Sequence, residues 1–164
     1  AWMFGRVKKQ SFLAVAELAS LGVLIGQCIG RWGNLINAEA FGGPTDLIWG
    51  MSINGGAPCH PAYLYESLWN LVGFTALHLY SKRRRFKGEL LLLYIGWYGL
   101  GRSWIEGLRT DSLYLGSSDI RVSQLLAIVC VAASAAVLIY LHVTKKYPPL
   151  EAAQPQAGQN KEDE

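Results

Sequence analysis

LLAIVCVAASAAVLIYL, residues Leu125 to Leu141, is a run of 17 residues without a charge. A helix rising ~1.5 Å per residue needs about 20 residues to cross a ~30 Å hydrocarbon core, and with its flanks, Val122 to Val143, this stretch is long enough. Working outward, three further apolar blocks of similar length precede it: Ser11 to Ile29, Ala62 to Tyr80 and Glu89 to Ile105. Half of the 164 residues are hydrophobic, 51%, and they are blocked rather than dispersed. The pattern predicts an all-α, polytopic transmembrane protein of four spanning helices with a long loop on the outer face after the first. Residues 1–147 form the membrane domain. From Pro148 to Glu164 proline, glutamine, alanine, glycine and charged residues dominate, a mixture that buries too little apolar surface to fold, so this tail is expected to be disordered in the cytoplasm.

The charges are segregated as well. Eleven of the 15 Lys and Arg residues fall in three places: Arg6, Lys8 and Lys9; Lys82 to Arg85 with Lys87; and Lys145, Lys146 and Lys161. Four crossings put all three on one side, which the positive-inside rule makes the cytoplasm. The basic run at Lys82 to Lys87 is therefore topogenic and not a nucleic-acid patch. The four arginines left over, Arg31, Arg102, Arg109 and Arg121, lie on or just below the outer face against that trend.

Cysteine and histidine usage excludes other chemistries. Cys28, Cys59 and Cys130 show no CxxC spacing, and His60, His78 and His142 are scattered, so neither a metal nor another cofactor is expected. The chain begins at Ala1 rather than at a methionine, with no signal-peptide pattern, which suggests a fragment lacking an upstream part.

Chemistry then rests on polar groups near the outer face, because an ionisable group within a span costs roughly 2.5 to 3.5 kcal/mol on insertion scales. Arg31, Glu39, Glu66, Arg102 and Glu106 meet that description. Arg102 lies thirteen residues beyond Glu89, so at ~1.5 Å each it stands about two-thirds of the way across, reachable from the outer leaflet. Tyr98, Arg102, Glu106 and Arg109 line one helical stripe. The ladder can satisfy itself, with Glu106 pairing both arginines. Alternatively Glu106 orients one guanidinium and leaves its remaining donors for an anion, for which the planar fork suits a phosphate.

Gly30-Arg31-Trp32-Gly33-Asn34-Leu35-Ile36-Asn37-Ala38-Glu39-Ala40-Phe41-Gly42 brings a second arginine to the same depth. Gly30 and Gly33 are expected to let the backbone turn sharply toward a ligand, with Asn34, Asn37 and Glu39 supplying amides and a carboxylate. His60-Pro61 opens the second span, Glu66 lies one turn inside it, and His60 is a candidate proton acceptor. Tyr63, Tyr65 and Trp69 fit an interfacial aromatic belt. Two arginines converging on an outer-leaflet position suggest a phospholipid head group.

These residues carry a resemblance to a family. Gly30 to Gly42 resembles the signature G-R-x-G-N-F-x-N-x-E-x-x-G of the bacterial prolipoprotein diacylglyceryl transferases, with Leu35 where the family usually has Phe. His60-Pro61 with Leu64-Tyr65-Glu66 is similar to its H-P-x-x-L-Y-E segment, and Tyr98-Gly99 with Arg102, Glu106 and Arg109 resembles its third block. The family's upstream spans, with a His-Gly-Gly segment, have no counterpart in the chain. The resemblance implies transfer of the diacylglyceryl group of phosphatidylglycerol to the lipobox cysteine of a prolipoprotein, in the bacterial inner membrane. It implies that Arg31 and Arg102 hold the phosphate, that Asn34, Asn37, Glu39, Gly42 and Arg109 help to bind the head group, and that Tyr98 contacts the lipid. Glu66 and Glu106 would orient the arginines, and catalysis would involve Arg31, Arg102, Glu106 and His60. A non-catalytic binder of anionic phospholipid, or a transporter fragment, is the competing class.

Overall fold

The computed structural model describes residues 11–53, 55–108 and 121–147, so the expected tail and Arg109 lie outside the described residues. Among the described residues it contains four helices, α1 Phe12–Ile36, α2 Ala62–Ser81, α3 Glu89–Leu108 and α4 Val122–Thr144. Isolated β-bridges pair Pro44 and Met51 each with Cys59 in the α1–α2 connection. Two helices, α1 and α4, are long and apolar enough to cross a membrane.

The distribution of side chains reverses that of a water-soluble protein. Leu18, Ile29, Ile36, Leu79, Leu126, Ile139 and Val143 are more than half exposed, while Glu17, Glu66, Asn70, Glu89 and Glu106 are buried. A hydrocarbon solvent favours this arrangement, because polar groups must then find partners inside the bundle.

Helix α1 runs seven residues past the predicted end at Ile29 and contains Gly30 and Gly33 as helical residues. The sharp turn expected at those glycines does not form. Glycine costs only about 1 kcal/mol in a helix interior, and packing of Cys28 and Trp32 against Ser67 of α2 outweighs it. The chain leaves α1 instead at Asn37, through Ala38 and Ala40, whose φ angles of 54° and 58° are left-handed.

Small residues bring α3 and α4 together. A Cβ on Gly99 would stand 2.7 Å from Cγ2 of Val131, and one on Gly96 would meet the Ser134 hydroxyl at 3.1 Å. Close backbone approach of this kind is how helices gain packing where no water is displaced. A compact core of Leu24, Leu77 and Leu90, flanked by Leu21, Phe74 and Leu93, joins α1, α2 and α3.

At the basic end of the bundle two buried carboxylates hold the α2–α3 turn. Glu17, 1% exposed, accepts the backbone N–H groups of Gly88 at 2.8 Å and Leu90 at 3.2 Å through Oε1, and pairs with Arg84 at 2.9 Å through Oε2. It thus caps α3 from another helix, placing negative charge at the positive end of the α3 dipole. Glu89 accepts the Tyr80 hydroxyl at 2.7 Å and the backbone N–H of Arg85, with His142 of α4 at 3.5 Å. Glu17→Ala therefore leaves buried N–H groups and a guanidinium unmatched, and is expected to cost about 3–5 kcal/mol in detergent unfolding. Arg84→Ala, removing a partly exposed partner, should cost about 1 kcal/mol or less; the reverse ranking would contradict the capping role.

Candidate functional site

The opposite ends of α1, α2 and α3 carry an alternating chain of charges. Arg31 Nη2 of α1 lies 2.5 Å from Oε2 of Glu66 on α2. The other oxygen of Glu66, Oε1, lies 3.6 Å from Nη1 of Arg102 on α3. Arg102 Nη2 then reaches Oε2 of Glu106 at 2.9 Å, one turn further along α3. From the start of α4, Arg121 donates through Nη1 to the backbone carbonyl of Glu106. All four helices meet at this group.

Each partner limits the cost of burying the other. The Glu66 and Glu106 side chains are 8% and 4% exposed, whereas those of Arg31 and Arg102 keep 22% and 23%. The carboxylates are packed inside, and the arginine side chains keep more exposed surface. Arg102 Nη1 is itself buried and makes no hydrogen bond among the described residues, lying 3.6 Å from Glu66 Oε1. Among the described residues of this group, three arginines (Arg31, Arg102, Arg121) face two carboxylates (Glu66, Glu106).

Local sequence explains how the elements present these groups. Ser67, next to Glu66, donates to the Cys28 carbonyl at 2.9 Å and accepts from Trp32 Nε1 at 3.1 Å, locking α2 to α1 beside the Arg31 pair. Pro61 precedes the first residue of α2, where its missing N–H costs nothing. Beside Arg102 a cavity of about 280 Å³ opens between α3 and α4, lined by Tyr94, Tyr98, Ser123, Leu126 and Cys130 among others. Tyr98 thus lies alongside the arginine.

The remaining predicted residues occupy the loop above. The backbone carbonyl of Asn34 accepts the Glu39 backbone N–H at 3.0 Å, and Asn37 Nδ2 donates to Glu39 Oε1 at 3.2 Å. Both Asn37 and Glu39 are exposed, in the segment bent by Ala38 and Ala40. Gly42 is buried; its N–H donates to the His60 carbonyl at 2.8 Å, and a Cβ there would meet His60 Cβ at 2.6 Å and the Leu108 carbonyl at 2.9 Å. Glycine is required for the loop to dock on the end of α3.

His60 belongs to a neighbouring group. Trp49 Nε1 donates to the Tyr65 hydroxyl oxygen at 2.9 Å, and that hydroxyl lies 3.3 Å from His60 Nδ1. The phenol oxygen accepts the indole N–H, and the ring tautomer of His60 sets which atom donates in the His60–Tyr65 contact. Tyr63 donates to Met51 Sδ, Tyr65 accepts the Trp49 indole N–H beside His60, and Trp69 donates to the Trp97 carbonyl.

Two residues gain a role only from the structure: Glu17, whose sequence signal is a carboxylate within the first apolar stretch, and Arg121, whose one clue is its departure from the charge trend.

Together these features define an all-helical membrane protein, among the described residues, with a carboxylate-braced arginine cluster. The family model described as prolipoprotein diacylglyceryl transferase matches residues 1–140, and the chain belongs to that family. It is 42% identical over 159 residues to a phosphatidylglycerol-prolipoprotein diacylglyceryl transferase of Lysinibacillus sphaericus, covering 89% of this chain and 58% of the relative. A protein of the same name from Clostridioides difficile is 40% identical over 145 residues, covering 88% and 56%. Another from Acaryochloris marina is 41% identical over 160 residues, covering 91% and 58%. The chain spans a little over half the length of these relatives.

Because Glu66 neutralises two guanidinium groups, Glu66→Gln is expected to lower stability by about 3–5 kcal/mol in thermal unfolding. Glu39→Gln, at an exposed position, should stay within about 0.5 kcal/mol.

Proposed function

We propose that the protein carrying this chain transfers the diacylglyceryl group of phosphatidylglycerol to the lipobox cysteine thiol of prolipoproteins. The arginine pair braced by Glu66 is the observation that carries this reading. The sulfur of the substrate cysteine attacks the glyceryl carbon next to the phosphate, a C–S bond forms, and the C–O bond to phosphate breaks. Glycerol phosphate leaves with the bonding electrons and gains negative charge, while the thiol proton passes to a base. Arg31 and Arg102 oppose that developing charge from fixed positions in a water-poor site, so they stabilise the transition state more than the ground state.

The other residues take supporting parts. Glu66 and Glu106 orient the guanidinium groups, and Arg121 adds the positive charge that the two carboxylates would otherwise cancel. The cavity lined by Tyr94, Tyr98 and Leu126 suits the apolar part of the lipid. Asn34, Asn37, Glu39 and Arg109 contribute to the glycerol end of the head group, and Gly42 keeps the loop against α3. His60, whose carbonyl accepts the Gly42 N–H, is the candidate acid or base nearest that loop. The protein sits in the bacterial inner membrane with four crossings, the basic turn Lys82 to Lys87 and the C-terminus in the cytoplasm, and the arginine site toward the outer leaflet. The nucleophile is the substrate's cysteine, so Cys28, Cys59 and Cys130 are dispensable.

The test expresses the gene that encodes this chain in cells depleted of their own transferase and follows lipoprotein mass. Arg31→Ala and Arg102→Ala are expected to lower lipidation at least a hundredfold, the scale of losing a preorganised charge contact (~10²–10³). Full lipidation by both variants would refute the assignment.

A further inference from the structure

The interface between α2 and α3 contains a reciprocal pair of tryptophans. Trp69 Nε1 donates to the Trp97 carbonyl at 3.0 Å, and Trp97 Nε1 donates to the Trp69 carbonyl at 3.1 Å. The two rings stack, with centroids 4.5 Å apart and planes 18° from parallel. Each ring also lies over a glycine of the facing helix. A Cβ on Gly73 would stand 2.2 Å from Trp97 Nε1, and a Cβ on Gly101 would stand 2.2 Å from Trp69 Nε1.

The spacing explains the symmetry. In a helix the carbonyl of residue i points at the N–H of residue i+4, so a side chain at i+4 flanks that carbonyl. Trp69 and Gly73 have this relation on α2, and Trp97 and Gly101 repeat it on α3. Glycine at i+4 clears the approach, and the carbonyl's second lone pair accepts the indole. Both heteroaromatic N–H groups are thereby satisfied inside the bundle, and the two helices have one register in which both bonds form.

That register governs the charged site. Glu66 lies one turn before Trp69 on α2, and Gly101 is followed directly by Arg102 on α3. A slide of one helix along the other would open the Glu66–Arg102 approach, now 3.6 Å.

We propose that the Trp69–Trp97 clasp, with Gly73 and Gly101, is the positioning device that fixes Arg102 against Glu66 for the transfer reaction, making Trp69 and Trp97 positioning residues. The proposal rests on the transferase reading and adds residues to it. In this proposal the four act through the placement of Arg102. Misplacement by about 1 Å can cost ~10²-fold in rate while leaving binding of the distant parts of a substrate intact.

The test uses the enzyme expressed from the gene that encodes this chain, phosphatidylglycerol vesicles and a lipobox peptide. Trp69→Phe and Trp97→Phe keep an aromatic ring and remove one donor each. Both are expected to lower kcat per folded enzyme about tenfold, with KM for phosphatidylglycerol within about twofold. Gly101→Ala is expected to lower kcat further, and adding Trp69→Phe to it should restore the unfolding midpoint without restoring kcat. Unchanged kcat in both Trp→Phe variants, alongside inactive Arg31→Ala and Arg102→Ala enzymes, would overturn the clasp's role and leave the transferase reading standing. Active Arg31→Ala and Arg102→Ala enzymes would overturn the transferase reading itself, and the clasp proposal with it.

Discussion

The carboxylate of Glu66, buried between the guanidinium groups of Arg31 and Arg102, is the constraint on which the rest of the site depends. Two cations approaching one point would repel, and a lone carboxylate at that depth would be costly to desolvate. Glu66 resolves both by giving one oxygen to each arginine. Three helices are drawn together as a result, and the arginine side chains stay partly exposed. Glu106 and Arg121 extend the alternation to α4, so the charge network also helps to set the position of all four helices.

The two ends of the bundle use ionisable groups differently. At the basic end Glu17 and Glu89 are almost fully enclosed, and their partners include backbone N–H groups, hydroxyl and side chains of the same turn. That end is closed and structural. At the other end the carboxylates are enclosed but their arginine partners remain partly exposed beside a cavity. A group that needs to receive an anion has to retain such donors, at some expense in stability. The left-handed Ala38 and Ala40, next to Asn37 and Glu39, place backbone strain in the same region, as is common where geometry serves binding.

Much of the fold was legible because the bilayer imposes length and composition. The apolar blocks ending at Tyr80 and Val143 predict helices that end at Ser81 and Thr144. The end of α1 was not legible, since Gly30 and Gly33 signal a turn locally and only packing of Cys28 and Trp32 on Ser67 keeps the helix going. The arginines and glutamates of the site stood out by their cost in an apolar setting. Which oxygen meets which guanidinium did not, because Arg31, Glu66 and Arg102 are brought together by contacts distant in sequence. The Trp-x-x-x-Gly spacing at Trp69 and Trp97 was present in the sequence, but only the facing of α2 and α3 gives it meaning.

The central claim is that Arg31 and Arg102 grip one phosphate together. A double-mutant cycle for phosphatidylglycerol binding in nanodiscs tests it most directly, using Arg31→Lys, Arg102→Lys and the double variant. Shared grip predicts non-additive losses, with a coupling of at least about 1 kcal/mol. Losses that sum within about 0.3 kcal/mol would show two independent arginines and contradict the account.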